Sequence, residues 1–301
     1  MLFIQKYFGA LLILSCLVGL VMPSAGEPTS IIVMISLAFI IFCTFFQINF
    51  DGSLLMKDLT VSLKFWLIRF IAVPVVIFFV FRGISSFYAS VLLLSFILPA
   101  AVSSPAFTVI YGGKPDLSLK ILIFSCFMSV FSIPLIMSWL LGATVHIQTG
   151  KMLLTLVYTI VAPFLLHLPL RKMTKIKNVI THYNSLFTLI GLSSIFILVT
   201  ARNKSAFFDN PEKVAWFAVI SFAIYGLMYV LGYYLIPGQH TDIRKTFGIS
   251  SGANNIGLGV TITALFFQGE MNVFFIISQL IWVVMLFPLK KAFGKSNQRF
   301  R

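Results

Sequence analysis

Residues 246–263, TFGISSGANNIGLGVTIT, place Ser250, Ser251, Asn254, Asn255 and several glycines inside an apolar run long enough to span a bilayer. The run ILPAAVSSPAFTVIYGG, residues 97–113, carries a second interruption, with Pro99 and Pro105 around Ser103 and Ser104 and with Thr108 one turn on. A third polar group, Arg69, stands about nine residues into an apolar stretch of about twenty. These side chains donate and accept hydrogen bonds but do not make nucleophile–base pairs. A helix interrupted at membrane depth also frees backbone N–H and C=O groups, which lipid cannot satisfy and which therefore need protein or a polar cavity around them. Asn254 and Asn255 are good N-caps, and Ser104 followed by Pro105 is a helix-start signature, so a second half-helix is expected after each break. The chemistry implied is binding. A glycine-rich helix packed on a neighbour is the other reading of residues 246–263.

Arg69 has no partner of opposite charge nearby in the pattern. All eight acidic residues, Glu27, Asp51, Asp58, Asp116, Asp209, Glu212, Asp242 and Glu270, fall in loops or at segment ends. A cation near the bilayer centre costs at least about 2.5–3.5 kcal/mol on insertion scales. Two readings follow. Either Arg69 snorkels or bonds carbonyls freed by a broken helix, or it is a tethered cation that serves the binding site. No carboxylate pair, His cluster or metal-ligand spacing occurs at depth, so an enzyme is not expected and no cofactor is called for. Cys16, Cys43 and Cys126 lie singly in apolar runs and read as packing residues.

The elements that must hold these residues are membrane spans. Hydrophobic residues make up 59% of the chain and charged residues 10%, and mean hydropathy is +1.02, far from soluble composition. Apolar segments near the required length fall at 7–23, 30–49, 60–81, 86–111, 118–141, 151–170, 183–201, 214–236, 244–267 and 271–293. The first also fits a signal peptide, since Lys6, an apolar core and PSAG resemble one; a retained helix is preferred because the repeat below needs it. The net charge of +14 comes from basic residues in short loops, which argues for membrane topology and against a nucleic-acid partner. Both interruptions fall in the fourth span of a five-span half. Five being odd, the second half inverts, and paired interruptions in such repeats point to a carrier's binding site.

The stretches SSPAFTVIYGGKPDLSL (103–119) and SSGANNIGLGV (250–260) resemble the fourth- and ninth-span motifs of the bile acid:sodium symporter family, and the likeness covers nearly the whole chain. The resemblance implies an all-α polytopic membrane protein of ten transmembrane helices in two inverted five-helix repeats, 1–142 and 143–293, with a basic tail at 294–301. A panel of spans 1, 2, 6 and 7 would face a core of the others, with broken helices crossing in spans 4 and 9. The implied substrate-binding residues are Arg69, Ser103, Ser104, Thr108, Ser250, Ser251, Asn254 and Asn255. Family members hold two sodium ions beside the crossing; here Ser250 stands at the Glu position, Arg69 at the third-span Gln position, Pro105 at an Asn position and Asn254 at a Gln position, while Ser104, Ser118 and Asn255 match. The anionic ligand is gone, so the sodium site is degenerate and no metal is expected. The expected function is sodium-independent transport of a small organic anion. The alternatives are an arsenite-type efflux carrier, against which Ala100 stands where those carriers have cysteine, and a non-transporting receptor or sensor. The only partners implied are the anion and the bilayer.

Other polar residues have blander readings. Lys64 snorkels, Gln47 and Asn49 sit at an interface, and His167 and His182 are interfacial. Asn184, Ser193 and Ser194 either line a cavity or join helices, and Gln268 and Gln279 stay open. With ten spans, fifteen of the 22 Lys and Arg, among them Lys6, Lys114, Lys120, Arg171 and Arg244, fall on the side of the N-terminus, and five fall opposite. Both termini are therefore expected in the cytoplasm of a bacterial cell, in its inner membrane. A C-terminal reporter enzyme should be active only in the cytoplasm; periplasmic activity overturns the topology and the span count.

Overall fold

A computed structural model describes residues 2–24, 28–48, 59–142, 148–267 and 269–293. Glu27, Asn49, Asp51, Lys57, Asp58, Gln268 and the tail with Lys295, Arg299 and Arg301 lie outside these residues. The described chain is helical throughout: α1 Leu2–Val21, α2 Pro28–Phe45, α3 Leu59–Trp66, α4 Val73–Arg82, α5 Ser86–Ile97, α6 Ser104–Ile110, α7 Pro115–Leu141, α8 Thr149–Leu156, α9 Ala162–Leu170, α10 Thr174–Arg202, α11 Lys204–Phe208, α12 Pro211–Tyr234, α13 Thr241–Gly252, α14 Ile256–Phe266 and α15 Glu270–Phe293. Among the described residues, five stretches are long and apolar enough to cross a membrane: Thr60–Arg82, Pro115–Leu141, Thr149–Leu170, Thr174–Arg202 and Pro211–Tyr234. Shorter apolar helices accompany them, including Ser86–Ile97 and Ile256–Phe266 on the two sides of the interrupted segments.

Two of the long stretches contain a π-turn, Leu67–Ala72 between α3 and α4 and Val157–Val161 between α8 and α9. Each is followed by a proline in the next turn, Pro74 and Pro163. Proline lacks the N–H that would bond the carbonyl four residues back, and its ring crowds that carbonyl. The helix widens instead, and the Val73 N–H reaches the Ile68 carbonyl five residues back.

The chain forms two compact units. The first comprises residues 1–49, 142–218 and 257–280, and the second 50–141, 219–256 and 281–301. In the first, α10 packs along both α1 and α2. Leu12, Ser15, Cys16 and Gly19 recur at helical spacing on the buried face of α1, while Ile13, Leu14, Leu17, Val18 and Val21 are exposed. A helix apolar on both faces suits lipid outside and protein inside. The Ser15 hydroxyl donates to Ser193 on α10 at 2.8 Å, so Ser193 joins helices. His167 corrects the interfacial reading: it is 2% exposed and meets the Phe46 ring edge-on at 4.8 Å. Aromatic neighbours on α2 and α9 enclose it, which position along the sequence does not reveal. In the second unit, α13 packs on α6 and α7, α3 and α5 pack on α7, and α4 packs on α5; Lys120, one of the basic residues assigned to the side of the N-terminus, is buried on α7.

Gly19 marks the closest approach of α1 to α10, because a Cβ there meets the Ile197 carbonyl oxygen at 2.6 Å and the Thr200 Cβ at 2.9 Å. Alanine normally stabilises a helix interior relative to glycine by about 1 kcal/mol. Here overpacking reverses the sign, and Gly19→Ala should lower stability by about 1–3 kcal/mol. Gly83, with nothing within 4 Å of such a Cβ, should tolerate alanine within about 0.5 kcal/mol. Thermal unfolding of the two variants in detergent checks the contrast.

Candidate functional site

Both breaks, at residues 98–103 and 253–255, lie in the second unit, and they pair. Ala100 and Asn254 form an isolated antiparallel bridge. The Ala101 N–H donates to the Ala253 carbonyl at 2.6 Å, and the Asn255 N–H to the Pro99 carbonyl at 2.8 Å. The Ala100 N–H donates to the Ser125 hydroxyl at 3.1 Å. Backbone groups that each break takes out of its helix are thus satisfied by the other break or by a side chain, as an apolar interior demands.

The first half-helices, α5 and α13, end at these breaks, and the last carbonyls of a helix have no helical donor. Side chains supply the donors. Asn254 Nδ2 donates to the Ser95 carbonyl at 2.7 Å, and Trp282 Nε1 to the Gly252 carbonyl at 3.3 Å. Arg69 serves both helices. Its Nη1 donates to the Phe96 carbonyl at 2.6 Å, its Nη2 to the Ser251 carbonyl at 2.7 Å, and its Nε to the Ser251 hydroxyl. The π-turn delivers Arg69 and Phe70 together to the buried side, and Arg69 is 0% exposed. The guanidinium carbon stands 4.9 Å from the Phe70 ring centroid and 5.0 Å from that of Phe96. Between the two readings of Arg69 offered by the sequence, the geometry supplies the freed carbonyls; snorkelling is corrected, because the side chain never reaches an interface. The negative ends of two helix dipoles and two aromatic faces stabilise the charge without a carboxylate. Among the described residues no Asp or Glu is buried.

Close packing of α12 fixes Ser251. A Cβ on Gly232 would lie 2.3 Å from the Ser251 Cβ and 2.5 Å from the Phe247 carbonyl oxygen, so only glycine lets α13 come this near. The Ser251 hydroxyl, accepting from Arg69, donates onward to the Met228 carbonyl at 2.7 Å.

On the far side of α13, three fully buried hydroxyls meet. Ser118 donates to Ser104 at 3.3 Å and lies 3.1 Å from Ser250. A hydroxyl has one hydrogen, so Ser250 is the donor to Ser118. Thr108 closes back on the Ser104 carbonyl at 2.8 Å. Two capping expectations are corrected here. Helix α6 begins at Ser104 itself, preceded by Ser103 in a helical conformation (φ −74°, ψ −11°) that cannot cap, and the Ser104 hydroxyl turns to Ser118. Asn254 lies two residues before α14 begins, and its Oδ1, the atom a cap uses, has no hydrogen-bond partner among the described residues. At the breaks, Ala101, Val102, Ser103 and Asn255 are partly exposed, whereas Arg69, Ser104, Thr108, Ser250, Ser251 and Asn254 are buried. The structure therefore brings the eight expected residues to the two breaks and their supports, with only Ser103 and Asn255 open to contact. Ser95, absent from the sequence reading, contributes a buried hydroxyl that, like Asn254 Oδ1, has no hydrogen-bond partner.

The Phe96 and Ser251 carbonyls are thus taken by the guanidinium. Removing the guanidinium strands two buried carbonyls, each worth about 1–3 kcal/mol when unsatisfied. Arg69→Met should accordingly lower stability by at least about 1 kcal/mol, measured as detergent thermal unfolding, whereas Lys64→Met at an exposed position should not.

Comparison with known proteins agrees with this picture. YbaS of Bacillus subtilis (strain 168), an uncharacterized protein, is 24% identical over 215 residues, covering 69% of this chain and 68% of that protein. The family model of SBF-like CPA transporters matches residues 6–288, both interrupted segments and Arg69 included. The chain is an integral membrane protein and belongs to the SBF-like CPA transporter family.

Proposed function

We propose that this protein is a secondary carrier of a small organic anion that works without sodium. In this reading the ten apolar segments cross the bilayer as two inverted repeats, residues 1–142 and 143–293, and access alternates around the paired breaks. One observation carries the proposal: a fully buried guanidinium, held only by neutral groups, at the ends of two interrupted helices. A buried charge in low dielectric acts over a longer range than one in water, so Arg69 raises the affinity of its surroundings for anions without touching them. The half-helix start at Asn255, and Ser103 opposite, offer the partly exposed polar contacts. The spare capacity of Ser95 and Asn254 lies next to the same break.

Arg69 then does with a fixed charge what a bound cation does elsewhere, and no ion gradient is consumed. The test is flux into proteoliposomes of small carboxylates, sulfonates and bile salts, with sodium and with choline in its place. The expected result is flux at an equal rate in both. Asn255→Ala and Ser103→Ala should impair it more than they impair folding, and Arg69→Gln should weaken apparent affinity by about tenfold, the equivalent of ~1.4 kcal/mol. Strong sodium dependence, or normal transport by Arg69→Ala, overturns the fixed-cation reading. Binding without flux assigns the protein to the receptor class instead.

A further inference from the structure

Arg69 also bears on the direction of transport. A co-transported cation crosses with the substrate and cancels its charge. A guanidinium that belongs to the chain does not cross: whatever excursion it makes in one half of a cycle it reverses in the other. Most oxygens near the breaks are already bonded, and the two that are not, the Ser95 hydroxyl and Asn254 Oδ1, are neutral ligands that hold a hard cation poorly. Arg69 takes the Phe96 and Ser251 carbonyls and the Ser251 hydroxyl, and Ser104, Ser118 and Ser250 are bonded among themselves. A proton travelling with the substrate needs a titrating group at depth, and among the described residues no carboxylate is buried. The buried histidine, His167, lies among the rings of Phe45, Phe46 and Phe164, and the buried amine of Lys120 belongs to the chain and, like Arg69, stays with it.

Resting on the carrier reading above, we infer that each turnover moves the full negative charge of the anion, so that transport is electrogenic and an inside-negative membrane drives the substrate outward. A membrane that is negative inside then favours export, without a gradient of a second solute, until the outward accumulation balances the potential. For a monoanion the steady-state ratio across the membrane changes about tenfold for each ~60 mV. This sign is opposite to that of a carrier that moves more than one cation with each monoanion, which the same potential would drive inward.

The experiment uses the intact protein in proteoliposomes with a potassium gradient and valinomycin, which sets a potential of either sign independently of protein orientation. The probes are benzenesulfonate, pyruvate and taurocholate, with protein-free vesicles as baseline and choline in place of sodium. The expected result is that an inside-positive potential accelerates entry and raises accumulation, by about tenfold per ~60 mV at steady state, and that an inside-negative potential suppresses it. Flux that ignores the potential, or that an inside-negative potential accelerates, overturns this inference while leaving the protein a carrier. Absence of flux for every probe, in protein that binds one of them, removes the carrier reading and this inference together.

Discussion

Two helices end in the middle of an apolar unit, and their last carbonyls must find donors that are neither water nor the next turn. That constraint organises the second unit. The two breaks satisfy part of it by pairing with each other through Ala101 and Asn255. Asn254, Trp282 and Arg69 supply side-chain donors to carbonyls that remain. Arg69 alone reaches both helices, and it reaches them because Pro74 widens the helix behind it into a π-turn. Gly232 permits the approach of α13 that puts Ser251 in range. Each of these residues is explained by the same unsatisfied oxygen atoms.

A charge in such a position is usually a liability, offset by a carboxylate. Here two helix dipoles and two phenyl faces take that role, so the charge is stabilised without being cancelled. Stabilisation and attraction for a counter-ion are different properties of a site. A guanidinium paired with a carboxylate presents a dipole to its surroundings, whereas one held by carbonyls still presents a net positive charge. The membership of the chain in a transporter family gives that charge a context.

The interruptions were legible in the sequence because proline, serine and asparagine pairs do not belong in a lipid-facing helix, and both breaks fall where those pairs stand, before Ser104 and before Ile256. Arg69 was conspicuous for the same reason. Its partners were not, since Phe96 and Ser251 bond through main-chain oxygens, which every residue carries. Ser95 hid among the apolar residues of α5, and Gly232 read as an ordinary helical glycine. Capping at Ser104 fails because a capping residue must itself be non-helical, and helical backbone angles are already present at Ser103. Lys120 and His167 were placed by their distance along the chain, while their burial depends on which face of the helix they occupy.

The bond from Arg69 to Ser251 spans 182 positions of sequence. During synthesis the guanidinium enters the membrane with the third apolar segment, long before α13 exists. It acquires the Phe96 carbonyl only when α5 follows, and the Ser251 carbonyl only once α13 has been made. Until then the nascent chain carries a half-coordinated cation in a place where insertion scales charge about 2.5–3.5 kcal/mol for it. The first half of the protein is therefore an unfinished structure rather than a smaller version of the whole. Its maturation waits for α13, and a product truncated before that helix keeps a guanidinium with only part of its partners.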